Sequence, residues 1–253
     1  MRKFVLLATA SLVLAVAAPS GAILAAPAPA YVSAAVSDAS RPAADTARDP
    51  ERKPADVLTF AGVKPGDKVG ELIPGGGYYT RLLSKIVGPS GKVYALWPEG
   101  LAKARPQMLD AMKEIGPNVV NVLYTDTSLN APEALDLVWT SENYHDFHNA
   151  PPGAPAPNIA VFNKAVFAAL KPGGVFLVED HAAAAGAGLG VTSTLHRIDP
   201  ADVKTEVEAA SFALAGSSRV LANPADPHTV GVFDPSIRGR SDKLLFKFTK
   251  PAK

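Results

Sequence analysis

Cysteine is absent from this chain of 253 residues. The absence excludes disulfide bonds in any compartment, and it excludes an anchor in which a lipid modifies an N-terminal cysteine. An excess of charge is also missing, because 25 basic and 24 acidic side chains give a formal net charge of +1. A surface so close to neutral gives no reason to expect nucleic acid or anionic lipid as a partner.

Residues 1–30 have the pattern of a secretory signal peptide. The positive start MRK precedes an uncharged run from Phe4 to Ile23, and Ala-rich sequence with A-x-A-like sites follows. We predict cleavage between Ala18 and Ala30, a periplasmic or secreted location, and no stable membrane anchor after cleavage. The rival interpretation is an uncleaved anchor, since the apolar run is about long enough to span a bilayer.

Residues 31–50 are rich in Ala, Pro and small polar residues, with little periodicity. This composition predicts an extended linker or arm. Its role is either that of a solvated tether or that of a segment that folds over a ligand site. Residues 51–253 have the length of one domain with a full core, and they contain no internal repeat.

Strands and helices alternate along residues 51–253. Five segments are predicted as strands: KVGELI, GKVYALW, NVVNVLYTD, ALDLVWTS and GVFLVEDH. Helical patterns such as Tyr78 to Val87 and Leu101 to Ile115 separate them, which predicts a mostly parallel sheet covered on both faces. Two later strands, FALAGSSRVLA and DKLLFKFTK, flank residues 223–241, which are too irregular for a crossover helix. We therefore predict a hairpin and an antiparallel strand in the sheet.

The turn after the first strand contains three consecutive glycines, in ELIPGGGYYT at residues 71–80. Such a turn lies at the carboxyl edge of an α/β sheet, where ligands bind. The glycines let a ligand approach the backbone, and the N-terminus of the next helix offers N–H groups to an anion. Glu71 would hold a cationic group of the same ligand, so an amino acid end fits better than a pyrophosphate. The pattern is neither G-x-G-x-x-G nor a P-loop, and the alternative is a tight turn that only packs the helix.

Three segments make roughly residues 50–250 resemble the class I S-adenosylmethionine-dependent methyltransferases, and more narrowly the predicted bacterial ones with an export signal. VGELIPGGGYYTRLL resembles the family's first motif, ALDLVWTSENYHDFH its fourth-strand motif, and FAALKPGGVFLVEDH the motif before strand five. The resemblance implies an α/β, Rossmann-like sheet of seven strands in the order 3-2-1-4-5-7-6, with strand seven antiparallel. It also implies S-adenosylmethionine as the cofactor.

The glycine turn and the resemblance together select the predicted cofactor-binding residues: Glu71, Pro74, Gly75, Gly76, Gly77, Tyr78, Trp97 and Asp126. Two positions depart from the family pattern. Ile73 stands in place of the first motif glycine, and Trp97 in place of the acid that binds the ribose hydroxyls. Trp97 is therefore expected to stack on the adenine or ribose. Glu99, two residues later, could replace the ribose-binding acid only if its loop turns back. Asp126 matches the adenine-side acid, and its alternative role is a helix or turn cap.

A polar cluster, SENYHDFHN, follows strand four, and strand five ends in Glu179-Asp180-His181 at the same edge. The predicted catalytic residues are His145, His148 and His181 as candidate bases, and Tyr144 as the group that orients the acceptor. Two other interpretations stay open. Tyr144 and His145 cap strand four and pack against helices, or the H-x-x-H pattern with its carboxylates binds a metal. We assign no metal ligands.

Three functions follow from these observations. The first is a methyltransferase that uses S-adenosylmethionine and acts on a small-molecule acceptor. Because S-adenosylmethionine is made in the cytoplasm, export favours a second function, a non-catalytic binding protein on the same fold. The third is a metal-dependent activity of the His-rich loop. Arg197 is expected to meet a substrate carboxylate or an acid such as Asp49 or Asp180, and His228 to be structural.

Overall fold

Seven strands form one sheet in the computed structural model, which describes residues 27–150 and 157–252. The strands are β1 (Lys68–Leu72), β2 (Lys92–Pro98), β3 (Val119–Tyr124), β4 (Leu135–Ser141), β5 (Leu170–His181), β6 (Ala213–Ser217) and β7 (Lys243–Thr249). Their order across the sheet is β3-β2-β1-β4-β5-β7-β6. Strands β1 to β5 pair in parallel, whereas β7 runs antiparallel to β5 and β6. The predicted Rossmann-like fold, its strand order and its antiparallel strand seven are therefore confirmed.

Helices cover both faces of the sheet. They are α1 (Ala30–Val36), α2 (Ala43–Thr46), α3 (Asp49–Arg52), α4 (Pro54–Ala61), α5 (Tyr78–Val87), α6 (Glu99–Ala104), α7 (Pro106–Lys113), α8 (Ile159–Ala169), α9 (Val191–Thr194) and α10 (Pro200–Ala209), with a 3-10 helix at His145–His148. The single helix predicted from Leu101 to Ile115 is divided into α6 and α7. Pro106 causes the break, because it has no amide hydrogen and its ring disfavours helical geometry at Arg105, whose φ is −138°.

The sheet divides the core into two layers. Alternate side chains of each strand point to opposite faces, so Val138 and Trp139 of β4 belong to different layers. The first layer contains Trp97, Trp139 and the buried residues of α1, α4 and α5. The second layer contains Tyr144, Phe162 and the buried residues of α10. As a result, two adjacent residues at the end of one strand can lie on opposite faces of the sheet.

Residues 31–50 are largely helical and packed, so the extended conformation predicted for them is wrong. They contain most of α1, all of α2 and the start of α3. Val32 and Ala35 lie at helical spacing on α1, and both are buried in the first core layer. Pro42 and Pro50 lie at the starts of α2 and α3, where proline suits a helix. The Pro-rich composition therefore marks helix starts in this segment.

Charged hydrogen bonds fasten residues 30–52, which we term the arm, to the rest of the domain. Arg81 of α5 donates from Nε to Asp45 Oδ2 of the arm at 2.6 Å. Within the arm, Arg41 donates to both carboxylate oxygens of Asp49, each at 2.7 Å. Tyr78 Oη donates to Asp49 Oδ1 at 2.6 Å. A bidentate pair between arginine and a carboxylate is strong and directional, so the arm is held in one position over α5.

The predicted signal peptide, residues 1–30, lies outside the described residues apart from residues 27–30. Residues 151–156 of the loop after β4 also lie outside them. Within the two described ranges, no helix combines the length and the apolar character needed to cross a bilayer.

Loss of apolar contact in the arm is expected to destabilise the whole domain. Val32→Ala should lower the free energy of unfolding by about 1–3 kcal/mol, because the Val32 side chain is fully buried, with 0% exposed. The control is Ser33→Ala, since Ser33 is exposed on the same helix. Chemical denaturation followed by circular dichroism measures both variants, and equal stabilities would contradict the packed arm.

Candidate active site

Three glycines connect β1 to α5 and leave the backbone open on one side. Gly75 and Gly77 have φ values of 60° and 79°, which favour glycine over residues that carry a Cβ atom. A Cβ atom at Gly75 or Gly76 would meet nothing within 4 Å, whereas one at Gly77 would lie 2.8 Å from Ile115 Cδ1. Gly77 therefore allows the left-handed turn and the close packing of α5 against Ile115, while Gly75 and Gly76 leave room for a ligand.

The same turn contains a strained residue. Ile73 has a φ of 48°, a left-handed conformation that is rare for a β-branched side chain. The backbone thus keeps a conformation that suits glycine, although isoleucine stands in the motif position. Asn143 supports the turn by donating from Nδ2 to the carbonyl oxygen of Leu72 at 3.1 Å, and the Ile73 amide donates to the carbonyl oxygen of Leu96 at 2.9 Å. Strain of this kind is concentrated at functional sites in proteins.

A cavity of about 480 Å³, which we term the glycine cavity, opens beside this turn. Five of the predicted cofactor-binding residues line it: Glu71, Pro74, Gly75, Gly76 and Tyr78. The cavity is also lined by residues from the arm, from the segment after β4 and from the loop before β7: Arg48, Arg52, Glu142, Asn143, Asp146 and Phe233. A concave site of this size suits a small molecule.

Glu71 is a buried carboxyl group in the wall of the glycine cavity, with 3% of its surface exposed. Its Oε2 atom has no hydrogen-bond partner among the described residues. Burial raises the pKa of Glu71 to about 8, and the charges of Arg81 and Arg52 only partly oppose the rise. A ligand ammonium group that paired with the free oxygen would favour the ionised form of this acid.

The arm contributes a cation to the wall of the glycine cavity. Arg52 pairs with Glu142, and Lys243 Nζ lies 3.4 Å from the other oxygen of the same carboxylate. Burial raises the pKa of Glu142, but Arg52 and Lys243 outweigh burial and lower the pKa to about 2. Arg81, which also holds the arm, donates from Nη2 to the carbonyl oxygen of Gly76 at 2.7 Å. One side chain therefore links the arm to the glycine turn.

A second cavity, also of about 480 Å³, adjoins the first and is termed the histidine cavity. The two cavities share four wall residues: Arg48, Arg52, Glu142 and Phe233. The predicted catalytic residue His181 lines the histidine cavity, and its Nδ1 is hydrogen-bonded to Ser241 Oγ at 2.7 Å. Burial lowers the pKa of His181 to about 4, so its imidazole is neutral at pH 7.

The carboxylate of Asp180 holds His145, the other predicted base near these cavities. His145 Nδ1 lies 2.8 Å from Asp180 Oδ1, and the His145 amide donates to Asp180 Oδ2 at 2.7 Å. Burial lowers the pKa of His145, but Asp180 outweighs burial and the net shift is upward. The imidazole is therefore protonated over a wider pH range, which makes it less available as a base.

Two predicted cofactor residues lie away from the glycine cavity. Trp97 is fully buried in the first core layer, where its Nε1 donates to Asn121 Oδ1 at 2.9 Å. The expectation that it stacks on adenine or ribose is wrong, because strand alternation turns its side chain into the core. Asp126 is exposed in the turn after β3 and lines neither cavity. Glu99 begins α6 and lines neither cavity.

Tyr144 and His148, two predicted catalytic residues, face the second core layer and line neither cavity. Tyr144 Oη accepts a hydrogen bond from Asn163 Nδ2 at 2.8 Å and donates to Glu206 Oε2 at 3.1 Å. His148 Nε2 lies 3.2 Å from the same carboxylate oxygen. The prediction of catalytic roles is corrected, because these side chains pack the 3-10 helix against α8 and α10.

Arg197 and His228 are paired within the protein. Arg197 Nη1 lies 2.9 Å from Asp226 Oδ2, and both side chains are fully buried. His228 Nε2 lies 3.1 Å from Asp242 Oδ2. The structural role predicted for His228 agrees with this pairing, whereas Arg197 is not placed to meet a substrate carboxylate.

Four residues near the cavities were not assigned to the site by the sequence patterns. Arg48 and Arg52 belong to the arm and line the glycine cavity. In the sequence they appeared only as charged residues at the end of a Pro-rich segment, which did not indicate a role in a site. His196 and Phe233 arrive from loops after β5 and β6, and their rings lie 5.0 Å apart. Phe233 is 62% exposed and follows no periodic pattern, so nothing local identified it.

Known proteins match this chain only in part at the level of sequence. No family model matches it. A protein-L-isoaspartate O-methyltransferase of Ignicoccus hospitalis is 35% identical over 78 residues, which are 31% of this chain and 36% of that protein. The chain therefore spans only about a third of the length of this curated relative.

Solved structures share the fold over most of the chain. An S-adenosylmethionine-dependent methyltransferase from Aquifex aeolicus matches with a TM-score of 0.55 and 19% identity, covering 81% of this chain and 95% of that one. A TehB-like S-adenosylmethionine-dependent methyltransferase from Corynebacterium glutamicum matches with a TM-score of 0.51 and 16% identity, covering 76% and 85%. The chain has the class I methyltransferase fold, as the three motifs implied.

Glu71 is expected to make the stability of the domain depend on pH. Its pKa is about 8 in the folded protein, against an ordinary value of 4.5, so between these values the folded state holds more protons than the unfolded state. The free energy of unfolding should therefore fall as the pH rises from 5 to 8, by roughly 1 kcal/mol per pH unit from this group. Glu71→Gln should remove that part of the slope.

Denaturant titrations at pH 5, 6.5 and 8 measure this slope. The control is Glu114→Gln, which changes an exposed glutamate at the end of α7 and should keep the native slope. An unchanged slope in Glu71→Gln would show that Glu71 is already ionised in the folded protein at pH 5.

Proposed function

We propose that this chain binds S-adenosylmethionine in the glycine cavity and transfers its methyl group to a small-molecule acceptor. The observation that carries the proposal is the free Oε2 atom of buried Glu71 beside an open glycine turn. The class I methyltransferase fold supports it, and so does the segment that matches a curated methyltransferase.

The residues of the glycine cavity fit the methionine end of the cofactor. Gly75 and Gly76 leave space beside the backbone. No side chain of residues 27–150 or 157–252 caps the first turn of α5, so its amide hydrogens are available to a carboxylate. Glu71 offers its free oxygen to the ammonium group. When bound, S-adenosylmethionine supplies a methyl group activated by a sulfonium. The task of the chain is to hold and align the two reactants, which lowers the barrier through positioning.

The histidine cavity is the proposed acceptor site. It shares a wall with the glycine cavity, so a molecule bound there would lie next to the cofactor. Its volume of about 480 Å³ suits a small acceptor, and Arg48 and Arg238 would favour an acceptor that carries negative charge. His181 is neutral at pH 7, which leaves its imidazole able to take a proton from the acceptor.

A second candidate is a non-catalytic protein that binds a methionine-like ligand on the same fold. The observation that favours it is the burial of Trp97 in the core, together with the position of Asp126 outside both cavity walls. Without these partners, the adenosine end of the cofactor would gain little binding energy. Such a protein would bind methionine about as tightly as S-adenosylmethionine.

Calorimetric titration of the purified protein with S-adenosylmethionine tests the proposal. We expect one site per chain, and we expect Gly76→Asp to weaken binding by roughly a hundredfold, because the new carboxylate would repel that of the ligand. Gly76 has free space for a side chain and no left-handed φ, so this variant should fold.

Gly100→Asp is the control, because it makes the same change at a glycine of α6 that also has free space and lies in neither cavity wall. It should bind like the native protein. Parallel titrations with methionine and with the demethylated product separate the two candidates. Equal affinity for methionine would favour the binding protein, and no binding of any of the three would refute both.

We also propose that the protein is exported, with residues 1–30 as a cleaved signal peptide. The support is the charged start and the apolar run that follows it. A fusion of residues 1–35 to a reporter that is active only outside the cytoplasm should be active. Leu12→Arg should abolish that activity, because the central part of a signal peptide must stay apolar. Equal activity with and without the substitution would contradict export by this segment.

A further inference from the structure

Three side chains, one of which lines the glycine cavity, converge with atoms that suit a metal ion. His145 and Asp146 come from the 3-10 helix after β4, and His196 comes from the loop before α10. The atoms that face each other are His145 Nε2, Asp146 Oδ1 and His196 Nδ1, all within 4.8 Å of one another. We propose that these three residues bind a divalent transition-metal ion of the zinc class.

The separations between these atoms match the edges of a zinc coordination polyhedron. His145 Nε2 lies 3.3 Å from His196 Nδ1 and 3.4 Å from Asp146 Oδ1, and the third edge, from His196 Nδ1 to Asp146 Oδ1, is 3.9 Å. Zinc–nitrogen bonds of about 2.0–2.1 Å place neighbouring tetrahedral ligands about 3.3 Å apart. An ion would therefore require only a small movement of Asp146, whose side chain is 48% exposed.

Asp180 is placed to orient His145 from outside the proposed coordination shell. Asp180 Oδ1 lies 2.8 Å from His145 Nδ1 and is fully buried, so it fixes the ring with Nε2 directed at the other two ligands. Histidines that bind metals commonly donate their other ring N–H to a carboxylate in this way, which sets the tautomer and strengthens the ligand. Asp180 therefore acts as a positioning residue for the proposed site.

The chemistry of the three ligands selects the class of ion. Two imidazoles and one carboxylate suit Zn²⁺ and other first-row divalent ions, whereas Mg²⁺ and Ca²⁺ prefer all-oxygen sites. His148 is not part of the set, because its Nε2 lies 3.2 Å from Glu206 on the side of the second core layer. The site is therefore not the H-x-x-H pair that the sequence pattern suggested.

Three protein ligands leave at least one coordination position for water or for an oxygen of another molecule. Asp146 lines the glycine cavity, which shares a wall with the histidine cavity proposed for the acceptor. A metal there would lower the pKa of an acceptor hydroxyl and help it to lose its proton. This role rests on the proposed function, whereas metal binding itself does not.

Titration of the metal-stripped protein with ZnCl₂, by calorimetry and by metal analysis after dialysis, tests the proposal. We expect one zinc per chain, and roughly tenfold or greater loss of affinity in each of His196→Ala and Asp146→Asn. Both side chains are at least one-third exposed, at 36% and 48%, so both variants should fold. Circular dichroism and thermal unfolding would verify this.

His228→Ala is the matched control, because His228 also pairs with an aspartate, Asp242, but lies outside the cluster. It should bind zinc like the native protein, and so should His148→Gln. Absence of stoichiometric zinc, or equal affinity in His196→Ala and the native protein, would overturn the proposal and leave the cluster as a hydrogen-bonded network. S-adenosylmethionine titrations of the same variants, without zinc, report separately on the proposed function.

Discussion

Parallel pairing of β1, β4 and β5 is the constraint on which the candidate site depends. The register sets Leu72 beside Thr140 and Ser141 beside Glu179, so the three strands end at one edge. Four acidic residues are consequently brought to that edge: Glu71, Glu142, Glu179 and Asp180. Buried carboxylates that share one sheet edge are unfavourable unless cations or protons compensate their charge.

These four acids are compensated in two ways. Glu142 pairs with Arg52 and Lys243, and Asp180 pairs with His145. Burial raises the pKa values of Glu71 and Glu179, which favours their neutral forms, and each keeps one oxygen without a hydrogen-bond partner among the described residues. Glu71 lines the glycine cavity, and a ligand group that reached its buried Oε2 atom would supply the missing partner. The arm is part of this balance, because it supplies Arg52.

The fold was predictable because its signals are local and repeated. Apolar runs, helical spacing such as Tyr78 to Val87, and a glycine turn recur along the chain, and each depends on a few neighbouring residues. The division of one predicted helix at Pro106 shows the limit of spacing alone, since the apolar pattern continued across the proline. The arm was mistaken for an extended segment because its apolar stripe is only two buried residues long, Val32 and Ala35.

The sequence by itself determined the order of the strands along the chain and the turn that places Glu71 beside open glycine backbone. Only the tertiary structure decided which polar residues reach the cavities. Trp97 lies near the end of β2 and Tyr144 follows β4, as the patterns indicated, yet each side chain enters a core layer. The side that Trp97 faces depends on the register of β2 within the sheet, whereas Tyr144 is placed by its hydrogen bonds to α8 and α10. The meeting of His145 with His196, 51 positions away, depends on how the loops fold over the sheet edge, and no local pattern contains that information.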